Sequence, residues 1–262
     1  MKRACPGRNL RRDGAARSRL PFFGAELCVF ATTLSFPRHA HDEYGVGLIV
    51  AGAQTSWSGR GEVEAVAGDM ISVNPGEIHD GASLGGAARR WRMIYFDPDG
   101  MRRLFADDVR GDVEFAAPQL RDHSASARLA EAFAARDGLE FEGALLSALA
   151  PLLARRRAGS AASPAIARAR QRIDDDPASR VRLGELAAEA DLSRFQFLRA
   201  FAREVGATPQ AYARQARARL ARRLVRSGLG LAEAAVAAGF ADQAHMTRAL
   251  AGQFLLTPGA MR

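Results

Sequence analysis

The chain has 262 residues, 48% hydrophobic and 25% charged, which is typical of a soluble globular protein and long enough for two domains. Its two cysteines, Cys5 and Cys28, give neither a disulfide framework nor a zinc spacing, and its longest apolar run, residues 143–154, is too short to span a membrane. These features predict a cytoplasmic protein without a membrane partner.

The net charge of +8 is unevenly distributed. Residues 1–20 carry +6, residues 21–163 carry −5 and residues 164–262 carry +7. An acidic middle beside a basic C-terminal third indicates that the latter binds a polyanion. The alternative is an arginine-rich composition throughout, because Lys2 stands alone beside 36 arginines.

The first half of the chain favours β-structure. Residues 1–20 lack periodicity and are predicted to be a disordered basic arm. The alternative is that the start codon has been placed too early and these residues precede the true start. In residues 21–118, short β-type runs alternate with Gly, Pro, Asn and Asp clusters, which is typical of an antiparallel barrel or sandwich that can hold one small ligand. Residues 119–157 are predicted to be a helical connector or dimerisation segment with a break near Asp137, and residues 158–164 a linker.

Residues 165–262 contain a repeated unit. The stretch FLRAFAREVGATPQ at 197–210 aligns with MTRALAGQFLLTPG at 246–259 at an offset of 49. In each copy a short helix and a turn precede a second helix, capped by Ser193 in the first copy and by Asp242 in the second. Gly206 is predicted to end the second helix of the first copy. Thr208 is predicted to cap a longer connecting helix that runs to about Arg226. Two helix-turn-helix units in one chain can enter successive major grooves about 34 Å apart.

This arrangement resembles the AraC/XylS family of bacterial transcription regulators over residues 178–262. The stretches HAHDEYGVGLIVAGAQ at 39–54 and GDMISVNPGEIHDG at 68–81 also resemble that family's cupin-type effector domain. The resemblance implies a multidomain α+β fold: a cupin-like antiparallel β-barrel, then helices, then an all-α tandem helix-turn-helix domain. It implies promoter DNA and a small-molecule effector as partners, a homodimer, and RNA polymerase as a partner if the protein is an activator.

The resemblance also places the base-reading positions. They fall on Phe195, Leu198 and Arg199 in the first recognition helix and on Gln243, Ala244, Thr247 and Arg248 in the second. The chemistry agrees independently, because arginine pairs with guanine and glutamine with adenine in the major groove. Further arginines are expected to hold phosphates, namely Arg194, Arg203, Arg217, Arg219, Arg222 and Arg223.

Polar and aromatic residues of the β domain are candidates for binding the effector. They are Glu43, Tyr44, Trp57, His79, Trp91 and Tyr95. Trp91, Met93 and Tyr95 alternate on one face of a predicted strand and either line a pocket or belong to the core.

A divalent metal in the barrel is a further possibility, with no other cofactor and no catalytic residue predicted. His39, His41 and Glu43 share one strand face, and the PGEIH stretch would bring His79 towards them. The spacing of Glu43 departs from the metal-binding cupin pattern, so structural or effector-contacting histidines are the alternative. The rival function is a metal-dependent cupin enzyme, such as a dioxygenase or isomerase, with an accessory helical domain. A third alternative is a DNA-binding protein whose vestigial barrel senses no effector.

Overall fold

The computed structural model describes residues 14–20, 24–105, 113–155 and 163–254. The chain divides near residue 157 into two compact units, the first rich in β-strands and the second mainly helical, with the short stretch 38–40 grouped with the second. Within these described ranges, no helix is both long and apolar enough to cross a membrane.

The first unit contains two antiparallel sheets. In chain order its strands are β1 (Gly14–Arg19), β2 (Glu26–Thr32), β3 (Phe36–His39), β4 (Tyr44–Ala51), β5 (Ala53–Ser58), β6 (Gly61–Val66), β7 (Met70–Val73), β8 (His79–Ser83), β9 (Arg89–Phe96), β10 (Val113–Phe115), β11 (Gln119–Leu120) and β12 (Leu153–Arg155). The order is β1-β2-β9-β4-β7-β11 in the larger sheet and β3-β8-β5-β6 in the smaller one, while β10 pairs with β12. The antiparallel β-domain is confirmed, but its two sheets do not close into a barrel, because no hydrogen-bonded strand pair joins them within the described residues.

Two segments differ from the sequence prediction. Strand β1 lies in the predicted disordered arm and pairs with β2 from Gly14 opposite Ala31 to Arg19 opposite Glu26, while residues 1–13 lie outside the described residues. Strands β11 and β12 lie in the predicted helical connector. In each case the strand is defined by hydrogen bonds to a distant segment, which the periodicity of a few residues does not reveal.

Both faces of the larger sheet are buried. Along β9, Trp91 and Met93 point to the inner face, which we define as the side facing the smaller sheet, and they pack with Cys28, Phe30 and Ala65. The alternate residues Ile94 and Phe96 point to the opposite, outer face.

Helices cover the outer face. The first unit contains α1 (Pro98–Leu104), α2 (His123–Ala134) and α3 (Gly138–Leu149). Leu129 of α2 and Leu145 of α3 are fully buried in the outer core. The predicted break between these helices is confirmed: Asp137 accepts a hydrogen bond from the backbone N–H of Glu140 and so starts α3.

The second unit is helical throughout its described part. Its helices are α4 (Pro164–Asp175), α5 (Leu183–Glu189), α6 (Arg194–Val205), α7 (Pro209–Arg226), α8 (Leu231–Ala237) and α9 (Gln243–Phe254). The predicted start and end signals are confirmed. Ser193 caps α6, Gly206 ends it at φ 87°, and Thr208 accepts a hydrogen bond from the N–H of Ala211 at the start of α7.

Two apolar clusters hold these helices together. Phe197 and Phe201 of α6 are fully buried, and the Phe201 ring packs against Tyr212 of α7 at 5.9 Å between centroids. Met246 and Leu250 of α9 are equally buried among residues of α7 and α8. Each helix-turn-helix unit therefore has its own apolar support.

Candidate functional site

The first recognition helix, α6, separates buried from exposed residues along its length. Phe197 and Phe201 anchor its inner side, whereas Phe195 is 66% exposed. The Ser193 hydroxyl accepts from the N–H of Gln196, whose side chain accepts from the N–H of Ser193 in return. This capping box fixes the first turn of the helix, the part that helix-turn-helix proteins place against bases.

The predicted DNA-contacting residues of α6 lie together on its exposed side. Arg199 is exposed, its guanidinium carbon lies 5.6 Å from the centre of the Phe195 ring, and Leu198 is half-buried. Arg194 is exposed beside Gly184 of α5, and Arg203 forms an exposed ion pair with Glu204 at 2.9 Å. The contact between Arg199 and the Phe195 ring lies on the exposed side of α6 and favours a guanidinium at that surface.

The second recognition helix, α9, has the same organisation. Its first turn is capped by Asp242, which accepts a hydrogen bond from the N–H of His245 at 2.6 Å, as the sequence predicted. Met246 and Leu250 face inward. The predicted contact residues fall on the other side, where Gln243, Ala244 and Arg248 are exposed and Thr247 is half-buried.

The turns of the two helix-turn-helix units are built differently. The first contains Asp191 at φ 54° and the second Gly239 at φ 77°. A Cβ on Gly239 would come within 2.5 Å of the carbonyl oxygen of Ala178, so this position excludes larger residues sterically as well as conformationally. The second helices repeat at the predicted offset of 49, from Arg194 to Gln243, but the first helices repeat at 48, because the second turn is one residue longer.

The connecting helix α7 corrects part of the phosphate prediction. Arg219 and Arg222 are buried, and Arg219 forms an ion pair with Asp174 of α4 at 2.8 Å. Arg217 donates to the carbonyl oxygens of Pro177 and Ser179. The phosphate prediction was wrong for Arg219 and Arg222, because both side chains are buried within the second unit.

A polar network joins α4 to α7. The Tyr212 hydroxyl donates to Asp174 at 2.6 Å, and Arg170 donates to the same hydroxyl oxygen at 3.2 Å. Burial raises the pKa of Tyr212, and the charge of Asp174 contributes to that rise. This network orients α7, the helix between the two helix-turn-helix units.

In the first unit, the inner face carries an aromatic cluster. The Trp91 ring stacks on Phe30 with 4.8 Å between centroids, and Phe36 meets Trp91 edge-on at 5.7 Å. Tyr95 is half-buried on the same side of β9. The structure thus brings Trp91 and Tyr95 together on one surface, with Met93 between them.

Histidines lie at one part of this surface. The ring centroids of His41 and His79 are 4.9 Å apart, and Tyr95 packs edge-on against His41. His39, His41 and His79 each offer a ring nitrogen, and these nitrogens lie within 4.8 Å of one another. Burial, followed by the neighbouring His41, lowers the pKa of His79 to about 3, against the opposing effect of a hydrogen bond to the Glu77 carbonyl.

The hydrogen bonds of His41 and His79 define which nitrogen can bind a further group. The Nδ1 atom of His41 lies 3.3 Å from the Glu43 carbonyl oxygen, and that of His79 lies 3.0 Å from the Glu77 carbonyl oxygen. A carbonyl oxygen only accepts, so both Nδ1 atoms carry the hydrogen and the lone pair is on Nε2.

Two other predicted effector residues, Tyr44 and Trp57, lie away from this surface. Tyr44 packs in the outer core against Phe115, and its hydroxyl donates to the Val113 carbonyl oxygen at 2.7 Å. Trp57 is half-buried on the face of β5 opposite to that of Gln54, whose partner Ala65 belongs to the inner cluster. Glu43 is buried, at 8% exposure.

Sequence reasoning missed Arg89, a buried arginine on the inner face. It begins the same alternating stripe as Trp91, Met93 and Tyr95, so the period of two along β9 was a usable signal. Its guanidinium carbon lies 4.9 Å from the centre of the Trp91 ring.

The comparisons with known proteins cover both units. The family model of an AraC-like ligand binding domain matches residues 23–153, and that of a helix-turn-helix domain matches residues 186–262. The uncharacterized HTH-type transcriptional regulator YbfI of Bacillus subtilis (strain 168) is 27% identical over 224 residues, 80% of this chain and 81% of that protein.

Two solved structures share the fold. ToxT from Vibrio cholerae O395 gives a TM-score of 0.54 at 13% identity, over 89% of this chain and 95% of its own. Wild-type ToxT from V. cholerae strain SCE256, bound to an unsaturated fatty acid, gives 0.53 at 12% identity, over 95% of each chain.

Proposed function

Because the chain belongs to the AraC family of transcription regulators, with an AraC-like ligand-binding domain and a DNA-binding helix-turn-helix domain, we propose that α6 and α9 read the bases of promoter DNA. One exposed arginine on each recognition helix, Arg199 on α6 and Arg248 on α9, carries this proposal. Arg199 and Arg248 each reach solvent from a helix whose opposite side is anchored by buried apolar residues.

Each arginine has the geometry for one base contact. A guanidinium donates two parallel hydrogen bonds to the O6 and N7 atoms of guanine, a contact worth about 1–3 kcal/mol of discrimination. Gln243, exposed in the first turn of α9, can pair with adenine in the same way. Arg194 and Arg203 at the exposed side of α6 contact phosphates and set the register.

The test is a DNA-binding titration against salt, with the full chain and DNA from its own upstream region. We expect tight, sequence-selective binding with a steep salt dependence. Arg199→Ala and Arg248→Ala each weaken binding about 5- to 150-fold and relax the preference at one base position, from the loss of about 1–3 kcal/mol. Arg128→Ala is the matched control, because Arg128 is an exposed arginine of α2 in the other unit. Weak binding that is equal on all sequences and unaffected by either substitution would refute the proposal.

The inner face of the first unit is the proposed effector site. Its stacked Phe30 and Trp91 rings offer apolar area, and His41 and His79 offer a few polar atoms, the mixture typical of small-molecule sites. ToxT has been solved with an unsaturated fatty acid, which supports an effector with an apolar body. The effector regulates by preferring one state of the protein, and the domain catalyses no reaction.

The proposed setting is the cytoplasm, with RNA polymerase as a further partner if the protein activates transcription. A homodimer is proposed through α3, since Leu139 is 82% exposed at its start. Light scattering on the purified chain tests it: Leu139→Glu should give a monomer, and Leu34→Glu, at another exposed leucine of the same unit, should leave the dimer intact. A wild-type monomer at micromolar concentration contradicts the dimer.

The histidines support a second proposal, a divalent transition-metal site. His41 and His79 both present Nε2 while a backbone carbonyl holds Nδ1, the usual arrangement around a metal-binding imidazole. Zn–N bonds of about 2.0–2.1 Å in a tetrahedral site place the ligand nitrogens about 3.4 Å apart, so the nitrogens of His39, His41 and His79, which lie within 4.8 Å of one another, must close by up to about 1.4 Å to share one ion. A bound ion would supply a Lewis acid for an oxygen or nitrogen atom of the effector.

Cobalt(II) titration of the purified chain tests this site through its visible absorption. We expect one ion per chain, lost in His41→Ala and His79→Ala and retained in His123→Ala, a control at an exposed histidine of α2. Cobalt binding that is absent, or that survives both inner-face substitutions, contradicts the metal site.

A further inference from the structure

Arg89 is among the most completely buried large side chains of the first unit, at 1% exposure. It begins β9 in the six-stranded sheet, and its Nη2 donates to the carbonyl oxygen of Gly81 in β8 of the four-stranded sheet at 3.2 Å. The side chain therefore bridges the two sheets. It lies beside the aromatic cluster, with its guanidinium carbon 4.9 Å from the centre of Trp91 and 5.5 Å from that of Phe36.

Most of the hydrogen-bonding capacity of this guanidinium is unused. Among the described residues, its buried Nε and Nη1 atoms have no hydrogen-bond partner, and no carboxylate forms an ion pair with it. Buried Arg219 also has one unpartnered nitrogen, Nη1, but its charge is paired with Asp174 at 2.8 Å. Buried polar groups in proteins are almost always satisfied, so two unsatisfied donors on one charged group indicate an absent partner.

The charge of Arg89 persists in this environment. Burial lowers the pKa of Arg89 to about 10, which still leaves the guanidinium protonated at neutral pH. The neighbouring aromatic rings stabilise a cation only in part, since they accept no hydrogen bond from Nε and Nη1. A planar anion with two oxygens matches both the charge and the fork of donors.

We propose that Arg89 is the anion-recognising residue of the effector site, and that the effector is a carboxylate with an apolar body. The carboxylate oxygens accept from Nε and Nη1, and the body packs on the Phe30, Phe36 and Trp91 rings. This inference rests on the proposed effector-binding function of the inner face. It names the chemical class of the effector and the residue that selects it.

The experiment compares acids with their neutral amides. Thermal unfolding of the full chain is followed with octanoate, decanoate and benzoate at millimolar concentration, and with octanamide, decanamide and benzamide. We expect at least one acid to raise the unfolding temperature by several degrees while its amide does not. The shift disappears in Arg89→Met, which retains the length and apolar stem of the side chain without its charge. It persists in Arg90→Met, the control at the exposed neighbouring arginine.

The outcomes distinguish the anion site at Arg89 from the wider effector-binding function of the inner face. An acid-specific shift that is lost only in Arg89→Met supports the assignment, and the unliganded variant should unfold at or above the wild-type temperature, because it no longer buries an unpaired charge. Equal shifts by acids and amides overturn the anion site while leaving the inner face as an effector site. Shifts that survive Arg89→Met, or no Arg89-dependent shift with any of the three acids, also overturn it. Operator binding by unliganded Arg89→Met is measured in parallel, so failure of the DNA-binding function is seen separately.

Discussion

Replacing Gly239 with alanine is expected to destabilise the second helix-turn-helix unit severely. Gly239 adopts φ 77° in the turn between α8 and α9, and a non-glycine residue in the left-handed region costs about 1–2 kcal/mol. Its new Cβ would also lie 2.5 Å from the Ala178 carbonyl oxygen and 3.0 Å from the Ala178 Cα. These atoms are backbone, so the turn must shift, and overpacking of this kind adds about 1–3 kcal/mol. The expected total loss is about 2–5 kcal/mol.

Two other glycines of the second unit separate the conformational cost of the Gly239 substitution from its steric cost. Gly228 has φ 95°, and a Cβ added there would meet no atom of the described residues within 4 Å beyond its two chain neighbours, so Gly228→Ala carries the conformational cost alone. Gly252 is helical, exposed and equally unobstructed, so Gly252→Ala should stabilise the protein by about 0.5–1 kcal/mol.

Urea unfolding of the full chain, followed by circular dichroism, measures all three variants. The predicted order of stability is Gly252→Ala, wild type, Gly228→Ala and Gly239→Ala. If Gly239→Ala and Gly228→Ala lost the same free energy, the close approach of Ala178 would have no energetic consequence and the steric argument would be wrong. We also expect Gly239→Ala to weaken DNA binding beyond its loss of stability, because the turn sets the direction of α9.

The stability of the first unit should depend on the charge state of His79. Since its folded pKa of about 3 lies below the unfolded value of 6.5, unfolding takes up a proton between these values, and stability present above pH 6.5 is lost as the pH falls. In chelator, lowering the pH from 7 to 5 should cost the wild type about 2 kcal/mol more than His79→Asn by urea unfolding; equal losses would contradict the pKa shift. Ser193→Ala should cost about 1 kcal/mol through the lost cap of α6, and Ser227→Ala, at an exposed serine outside any N-cap, should cost clearly less in the same assay.

Local signals explain what the sequence could predict. The caps at Ser193, Thr208 and Asp242 act within three residues of themselves, so their side-chain chemistry is visible in sequence. The repeated unit is equally local, because each copy supplies its own buried pair, such as Phe197 and Phe201.

Long-range contacts explain what the sequence could not predict. Arg219 looks like its exposed neighbours along the chain, and its burial depends on Asp174, 45 residues earlier. Arg89 begins the alternating row of β9 residues from which Trp91 was predicted as a candidate. Its burial, however, depends on a carbonyl oxygen of the other sheet. Charge and periodicity place such residues on an element, but the partner across the fold decides whether they are buried.

The distribution of exposed arginines makes the two DNA-reading units unequal. Helix α6 exposes Arg194, Arg199 and Arg203, whereas Arg248 is the only arginine of α9 within its described residues. Each phosphate neutralised by a cation contributes about 0.9 to the slope of log K against log salt concentration, so most of the electrostatic affinity should come from the first helix-turn-helix unit. The second helix-turn-helix unit should then depend more on the base contacts proposed for Gln243 and Arg248. A chain with two unequal units has one preferred direction on DNA, so its binding site should be asymmetric although the protein motif is repeated.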